Sequence, residues 1–449
     1  MTSVKKMVQL SDNNSEKVAP KIIREDEFLS GKDLNGVLQA AAVRSRKNIL
    51  AEIGDLFREK KWDDMLAIFY PVTEKCPELT ASKMDTPIRE KLGFALGQLS
   101  RFDEAIAELT ICVQRQPENF YPINSLAYTA YNSLYSAKNK EIFLSGKPRV
   151  ERVEMAHRFF KAAQRLRPGG ITNYYREGML FKQLEDKPRK ALPLFRRAVE
   201  NWERLDADEQ ETRHQERKNY IKSLYQLASV LLSENQAGQA LKYIKRCLAE
   251  DETSNHLSLV YKYFALGKVL FAMNLFDKAR DALLFAGQAT KNGPADFVQE
   301  LLARTFLALG NPGKALGIIG RIPEKRRRPY IAWTEADIRC QLQDFKGAAG
   351  VLVNSSEKDH RSRHKSLIRL AKIAYLYQDY PQTMQYAAQA SAFVEQKWGN
   401  LYGDGLFWQA LGAFRHGDIP QARQKVQELE KFQPGYPKLN VLIRKIDRT

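Results

Sequence analysis

Apolar residues along this chain recur at the three- and four-residue spacing of helices, and the stripes they form recur in turn. Between residues 89 and 120, Leu92, Leu96 and Leu99 make one stripe with Gly93 beside it. Ile106, Leu109, Ile111 and Cys112 make the next. Ser100 to Glu104 reads as a tight connection, and Asp103 and Glu104 fall in the first turn of the second helix, where acids complement the helix dipole. Pro117 stops that helix and Asn119 supports the break. Gly93 and Ala105 leave room for close backbone approach, and Phe102 wedges the turn. The same order returns at Leu266-Gly267, Phe276, Ala279, Leu283 and Ala286.

Recurrence at roughly 34 residues predicts stacked helix pairs, because one hairpin cannot bury both its faces alone. Nine or ten copies can be followed. Trp62, Phe69 and Pro77 mark a weak first copy, with Met65 in the alanine place, and Leu92 to Pro117 is the second. The third opens at Leu126, Ala127 and Ala130. Its partner helix, at Ala156, Phe160 and Ala163, is delayed by an insertion over 136–150. Gly178, Ala191, Phe195 and Ala198 make the fourth, lengthened after Trp202. Leu227, Ala228, Ala240, Ile244 and Cys247 make the fifth, and Leu266 to Ala286 the sixth. The seventh runs from Leu302-Ala303 through Ala315 and Ile319 to Pro323; the eighth uses Ala336, Phe345, Ala348 and Leu352. The ninth uses Leu370-Ala371, Tyr380, Ala387 and Ala390, with Thr383 replacing alanine; the tenth uses Ala410, Ile419, Ala422, Val426, Leu429 and Pro434.

From about Arg46 to Pro437 this pattern resembles the tetratricopeptide repeat (TPR) family, most clearly in the second, sixth and tenth copies. The resemblance implies an all-α, right-handed superhelical solenoid of antiparallel helix pairs, whose concave groove is lined by the first helix of each pair. Domain organisation follows: a disordered or weakly ordered tail over 1–33, a repeat array over 34–437, and a C-terminal capping helix over 438–449. Leu439, Leu442, Ile443 and Ile446 form that helix's apolar side, with Arg444, Lys445 and Arg448 opposite.

Composition agrees with an extended core, since 44% of the 449 residues are hydrophobic and a solenoid spreads its core along a line. No apolar run approaches a membrane span, and no secretory leader pattern opens the chain. Cys76, Cys112, Cys247 and Cys340 are isolated. Without a CxxC they point to a reducing, cytoplasmic setting rather than to zinc.

Charge adds a second theme. The net charge of +18 favours acidic partners. The excess concentrates in residues 121–168, with nine Lys/Arg against three Asp/Glu, and in 261–330, with twelve against five. Lys325, Arg326, Arg327 and Arg328 are its sharpest cluster, held between Pro323 and Pro329. The resemblance also names groove positions: Tyr225, Tyr261, Phe264, Lys268, Phe271, Arg304, Tyr330, Trp333, Lys372 and Tyr375, together with Lys182, Lys222 and Phe297. Aromatic rings beside cations suit a ligand with apolar and acidic side chains, and the same mixture suits stacked, unpaired bases. The family's chaperone-tail binders use a two-carboxylate clamp, and its Lys/Asn set has no match here.

Searches for chemistry find little. Gly310 to Lys314 has the wrong spacing for a phosphate loop and reads as a turn. His360 and His364 stand one helical turn apart, but flanking Arg361 and Arg363 make a metal site there a poor fit. No cofactor and no catalytic constellation is expected. The reading is a non-catalytic scaffold or adaptor that holds acidic protein segments. An RNA- or single-strand-binding repeat protein is the alternative, and self-association through an end repeat stays open.

Overall fold

The computed structural model describes residues 47–290 and 295–449, so the expected tail over 1–33 and the start of the expected array, 34–46, lie outside the described residues. All regular structure in the described residues is helical. The chain divides into two compact units between Leu166 and Arg167.

In the first unit, α1 (47–58) precedes α2 (Trp62–Phe69), α3 (Val72–Lys75) and α4 (Pro77–Ala81). Two longer pairs follow, α5 (Thr86–Gln98) with α6 (Phe102–Arg115), and α7 (Phe120–Lys138) with α8 (Gly146–Leu166). The weak first copy departs from the sequence reading. Its helix breaks after Phe69, and Pro77, expected to end the copy, opens α4 instead, because proline's missing N–H is tolerated in a first turn. The insertion over 136–150 is also mostly helical. α7 and α8 extend to 19 and 21 residues, leaving only 139–145 as connection. Asn119 caps α7 by accepting the Tyr121 N–H at 3.1 Å. Arg89 is buried and donates to Asp85 and Glu108, and Arg115 also donates to Asp85, so an ionic network crosses the interior of the α5–α6 pair.

The second unit is a run of pairs. α9 (Thr172–Met179) continues as a π-helical turn over Leu180–Leu184 and packs on α10 (Pro188–Glu203). The lengthening after Trp202 contains a short helix, α11 (Ala207–Thr212), closed by a capping box between Asp206 and Glu209. Then come α12 (His214–Ser233) with α13 (Ala237–Glu250), α14 (Leu259–Ala272) with α15 (Phe276–Gln288), and α16 (Asp296–Ala308) with α17 (Pro312–Gly320). α18 (Pro329–Gln341) pairs with α19 (Phe345–Lys358), α20 (Arg363–Leu376) with α21 (Tyr380–Trp398), and α22 (Gly403–His416) with α23 (Ile419–Phe432). α24 (Leu439–Ile446) buries Leu439, Leu442 and Ile446 against Leu406, Ala410 and Leu429 of the last pair, and turns Arg444 and Lys445 outward.

Close packing explains the small residues. A Cβ on Gly93 would stand 2.7 Å from Leu109 Cγ, and one on Gly267 would stand 2.7 Å from Leu283 Cγ. Gly178 meets the Phe195 ring in the same way, at 2.6 Å. The contact is repeated from pair to pair, which is why the spacing is legible in the sequence. Gly267→Ala is expected to lose about 1–3 kcal/mol through overpacking, read as a lower urea midpoint with an unchanged slope. The cysteines follow the repeat as well. Cys112 Sγ donates to the Thr86 carbonyl at 3.5 Å and Cys247 Sγ to the Ile221 carbonyl at 3.7 Å, each spanning its own pair. Burial pushes both thiols up to about 12, so neither is a nucleophile at neutral pH.

Candidate partner-binding surface

In the second unit, consecutive first helices (α12, α14, α16, α18, α20 and α22) pack on one another as well as on their own partners, and α9 packs on α12 in the same way. Consecutive second helices do not pack to that extent. The first-helix layer is therefore the more tightly spaced of the two. Contacts across it repeat at about one repeat length. Thr334 reaches Glu300, Trp333 reaches Ser366, and Tyr261 meets Phe297.

An aromatic ledge lies on this layer. The Tyr261 and Phe297 rings are parallel, 5.9 Å apart, and Phe264 meets Phe297 edge-on at 4.6 Å. Tyr261 is half exposed, at 50%. Tyr225 stands close by, its hydroxyl pKa raised by burial, with the Cys247 thiol and Tyr261 adding to the effect. Lys268 Nζ lies 5.8 Å from the centre of Phe264, and the Arg304 guanidinium 5.0 Å from that of Phe271, within reach of cation–π attraction. These seven predicted positions form one neighbourhood on α12, α14 and α16.

A second group occupies α18, α20 and α22. Trp333 donates its Nε1–H to Ser366 Oγ at 2.8 Å, under Lys365 and Arg369 at 5.5 and 5.1 Å from its ring. It is part of the packing between repeats, so its ring is committed in large part to the fold. Tyr375 lies against Trp408, and its hydroxyl accepts from Arg415 Nε at 3.1 Å. Lys372 is exposed one turn before it.

The Lys325–Arg328 cluster, the sharpest concentration of positive charge in the sequence, is only partly available to a partner. It sits on the connection between α17 and α18, and two of its four cations are used internally. Arg326 grips Asp296 through both carboxylate oxygens, at 2.8 and 3.0 Å. Arg327 pairs with Glu335 at 2.9 Å and donates to the Ile322 carbonyl at 2.9 Å, closing the end of α17. Lys325 and Arg328 stay exposed, and Tyr330 is partly buried beside Arg328, Glu300 and Asp296.

Two acids on the same layer escaped the sequence reading. Glu300 is buried. It accepts from Thr334 Oγ1 at 2.6 Å and lies 3.9 Å from Arg304. Burial raises its pKa, against the Thr334 hydroxyl, Arg304 and Lys268. Asp337 stands 3.6 Å from Arg369. Loss of solvent raises its pKa too, against Arg369, Lys372 and Arg304. Its side chain is half exposed. The i,i+4 relation of Glu300 to Arg304 was a signal available in the sequence.

The histidine pair does not converge. His364 is buried among Phe393, Trp398 and Tyr402, while the exposed His360 offers its backbone carbonyl to Lys397. Among the described residues no group of three or more metal-ligating side chains occurs, and no helix is long and apolar enough to cross a membrane.

A family model, tetratricopeptide repeat, matches residues 221–254, which are most of the α12–α13 pair and the loop after it. None of the curated proteins compared matches the sequence. Solved structures that align with the chain include yeast Tom70, at 14% identity over 90% of this chain and 95% of that one, with a TM-score of 0.48. PilW, a widely conserved type IV pilus biogenesis factor, aligns at 15% identity over 50% and 98%, TM-score 0.41. YrrB, a TPR protein with an unusual peptide-binding site, aligns at 17% identity over 53% and 97%, TM-score 0.34.

Proposed function

This chain belongs to the tetratricopeptide repeat family, and we propose that it is a non-catalytic scaffold which holds an acidic segment of a partner protein along the first-helix layer of its second unit. One observation carries the reading. Lys182, which donates to the neutral Gln226 and Ser229, and Lys222 lie on that layer in no ion pair among the described residues, beside an aromatic ledge whose outermost ring is half exposed. Uncompensated cations next to exposed rings are the complement of a peptide that alternates acidic and apolar side chains. Four unbonded cysteines suit a reducing compartment such as the cytoplasm.

The nucleic-acid reading fares worse on this surface. A single strand brings a phosphate to every nucleotide, and a strand following the layer would meet Glu300 and Asp337. A peptide can place neutral residues there and its acids elsewhere. Capture of partners from the native host, with and without nuclease, tests the choice. A protein recovered in both conditions, retained at moderate salt and lost in Phe264→Ala, supports the scaffold. Recovery that disappears with nuclease, and whose affinity falls steeply with salt, supports nucleic acid.

A further inference from the structure

The insertion in the third repeat has no part in the surface described above, yet it changes the outline of its pair. α7 and α8 have 19 and 21 residues, against 13 and 14 in the α5–α6 pair before them. Arg152 of α8 marks where the extra length lies. Its guanidinium donates to Ser133 Oγ on α7 at 3.0 Å and to Asp103 in the first turn of α6. Ser133 and Arg152 therefore stand level with the turn of the preceding pair, and residues 134–151 run on past it. The five residues left on α7 and the six on α8 carry the tip about 8 Å farther, at ~1.5 Å per residue.

Hydrogen bonds hold the start of this tip. The Glu141 N–H donates to the Ser136 carbonyl at 2.9 Å and the Lys140 N–H to the Ala137 carbonyl at 3.1 Å. They close α7 with Lys140 in the left-handed region. Ile142, Phe143 and Leu144 then cross toward Gly146, where α8 begins. Phe143 is 92% exposed, and Val150, in the second turn of α8, is 54% exposed. Ile142 and Leu144 are partly exposed beside Phe143. A phenylalanine gains much from burial, and the fold buries almost none of this one. Lys138, Lys140, Lys147 and Arg149 flank the apex, all exposed, against Glu141 and Glu151. Both acids are engaged, Glu141 by the Asn139 amide at 3.2 Å and Glu151 by Lys147 at 3.7 Å.

The projection is apolar at its apex and basic behind. A lipid surface offers the matching order, with anionic headgroups outside and hydrocarbon beneath. We propose that residues 138–150 form a docking tip for an anionic lipid surface. Phe143 enters the boundary between headgroups and acyl chains, with Ile142 and Leu144 at its edge, while Lys140 and Lys147 meet the headgroups. One aromatic wedge and a few cations give a reversible contact, far short of a spanning helix. The tip lies in the first unit and uses none of the residues of the scaffold reading, so the two stand independently.

The test is sedimentation of the full chain with sucrose-loaded vesicles, one set of phosphatidylcholine alone and one with about a third phosphatidylserine. The wild type should bind the second set and not the first. Phe143→Ser should weaken that binding about tenfold, and Lys140→Gln and Lys147→Gln about fivefold each. Lys278→Gln, on the exposed side of α15, should leave it unchanged. Since Phe143 is exposed, Phe143→Ser should keep the wild-type urea midpoint, which separates lost docking from lost folding. A second readout reports depth. In Phe143→Trp, the added fluorescence should shift to the blue on phosphatidylserine vesicles and be quenched by lipids brominated along the acyl chain. Failure of the wild type to bind these vesicles overturns the proposal. Equal binding by wild type and Phe143→Ser also overturns it, assigning the attraction to the net charge of +18 instead. A host protein captured by the wild type and lost in Phe143→Ser, without vesicle binding by either, reassigns the tip to a protein partner.

Discussion

Asp251→Ala is expected to destabilise the second unit by about 3–5 kcal/mol, the cost of leaving one member of a buried ion pair without its partner. Asp251 and Lys262 are both fully buried, with Nζ donating to Oδ2 at 3.0 Å and to the Asp251 carbonyl at 2.8 Å. The same carboxylate accepts the His256 and Leu257 N–H groups and the Ser254 hydroxyl at 2.7–2.9 Å. One side chain therefore orders the connection from α13 to α14 and sets the start of the helix that carries Tyr261, Phe264 and Lys268. Replacing both members, Asp251→Ala with Lys262→Met, should recover part of the loss, because no unpaired charge is then buried. Urea unfolding followed by circular dichroism measures each variant.

The pair also predicts acid sensitivity. Burial alone would raise the Asp251 pKa, but the Leu257 N–H, the Lys262 ammonium and the His256 N–H hold it below the usual carboxylate range. The folded chain therefore binds this proton less readily than the unfolded chain does. The contribution is complete above the unfolded carboxyl pKa near 4, and it is lost as pH falls through the lower folded value. Wild type should lose stability in that window more steeply than the double variant.

Phe297→Ala should weaken partner binding roughly 30-fold or more, a hot-spot loss of at least 2 kcal/mol. Phe297 is the ring on which Tyr261 stacks and against which Phe264 sets its edge, so its removal takes away the support of the whole ledge. It also belongs to the core shared by α14, α15 and α16, and Tyr261→Ala provides the separating comparison. Tyr261 is half exposed, so its truncation should leave the unfolding midpoint nearly unchanged and still cost about tenfold in affinity. Titration of the captured partner against both variants measures the effect. A partner bound equally by all three forms would place the working surface elsewhere.

Much of the architecture was legible because the packing rule repeats. Gly93 against Leu109 and Gly267 against Leu283 are one contact made twice, and a contact made many times leaves a period in the sequence. Where the period weakens, so did the reading. The first copy broke after Phe69, and the π turn before Lys187 left no mark in a pattern that fits α-helical spacing almost as well. The groove positions on α12 to α16 do share a neighbourhood. Trp333, picked for its aromatic ring, proved to be held by Ser366 and by the packing of its own and the next repeat.

Charge was the hardest part to read. Arg326 and Arg327 looked free because their partners, Asp296 and Glu335, are 30 and 8 residues away, and nothing in a linear pattern measures that gap in ångströms. Lys182 was recognisable as a groove cation, but its two neutral acceptors on the next repeat, Gln226 and Ser229, were not. The chain's own order of apolar, small and polar residues was enough to specify helix pairs, their repeat length and the layer each helix joins, since burial follows local periodicity. Which cations are cancelled and which stay open depended on side chains from different repeats meeting within a few ångströms, and Coulomb energy is decided by that distance.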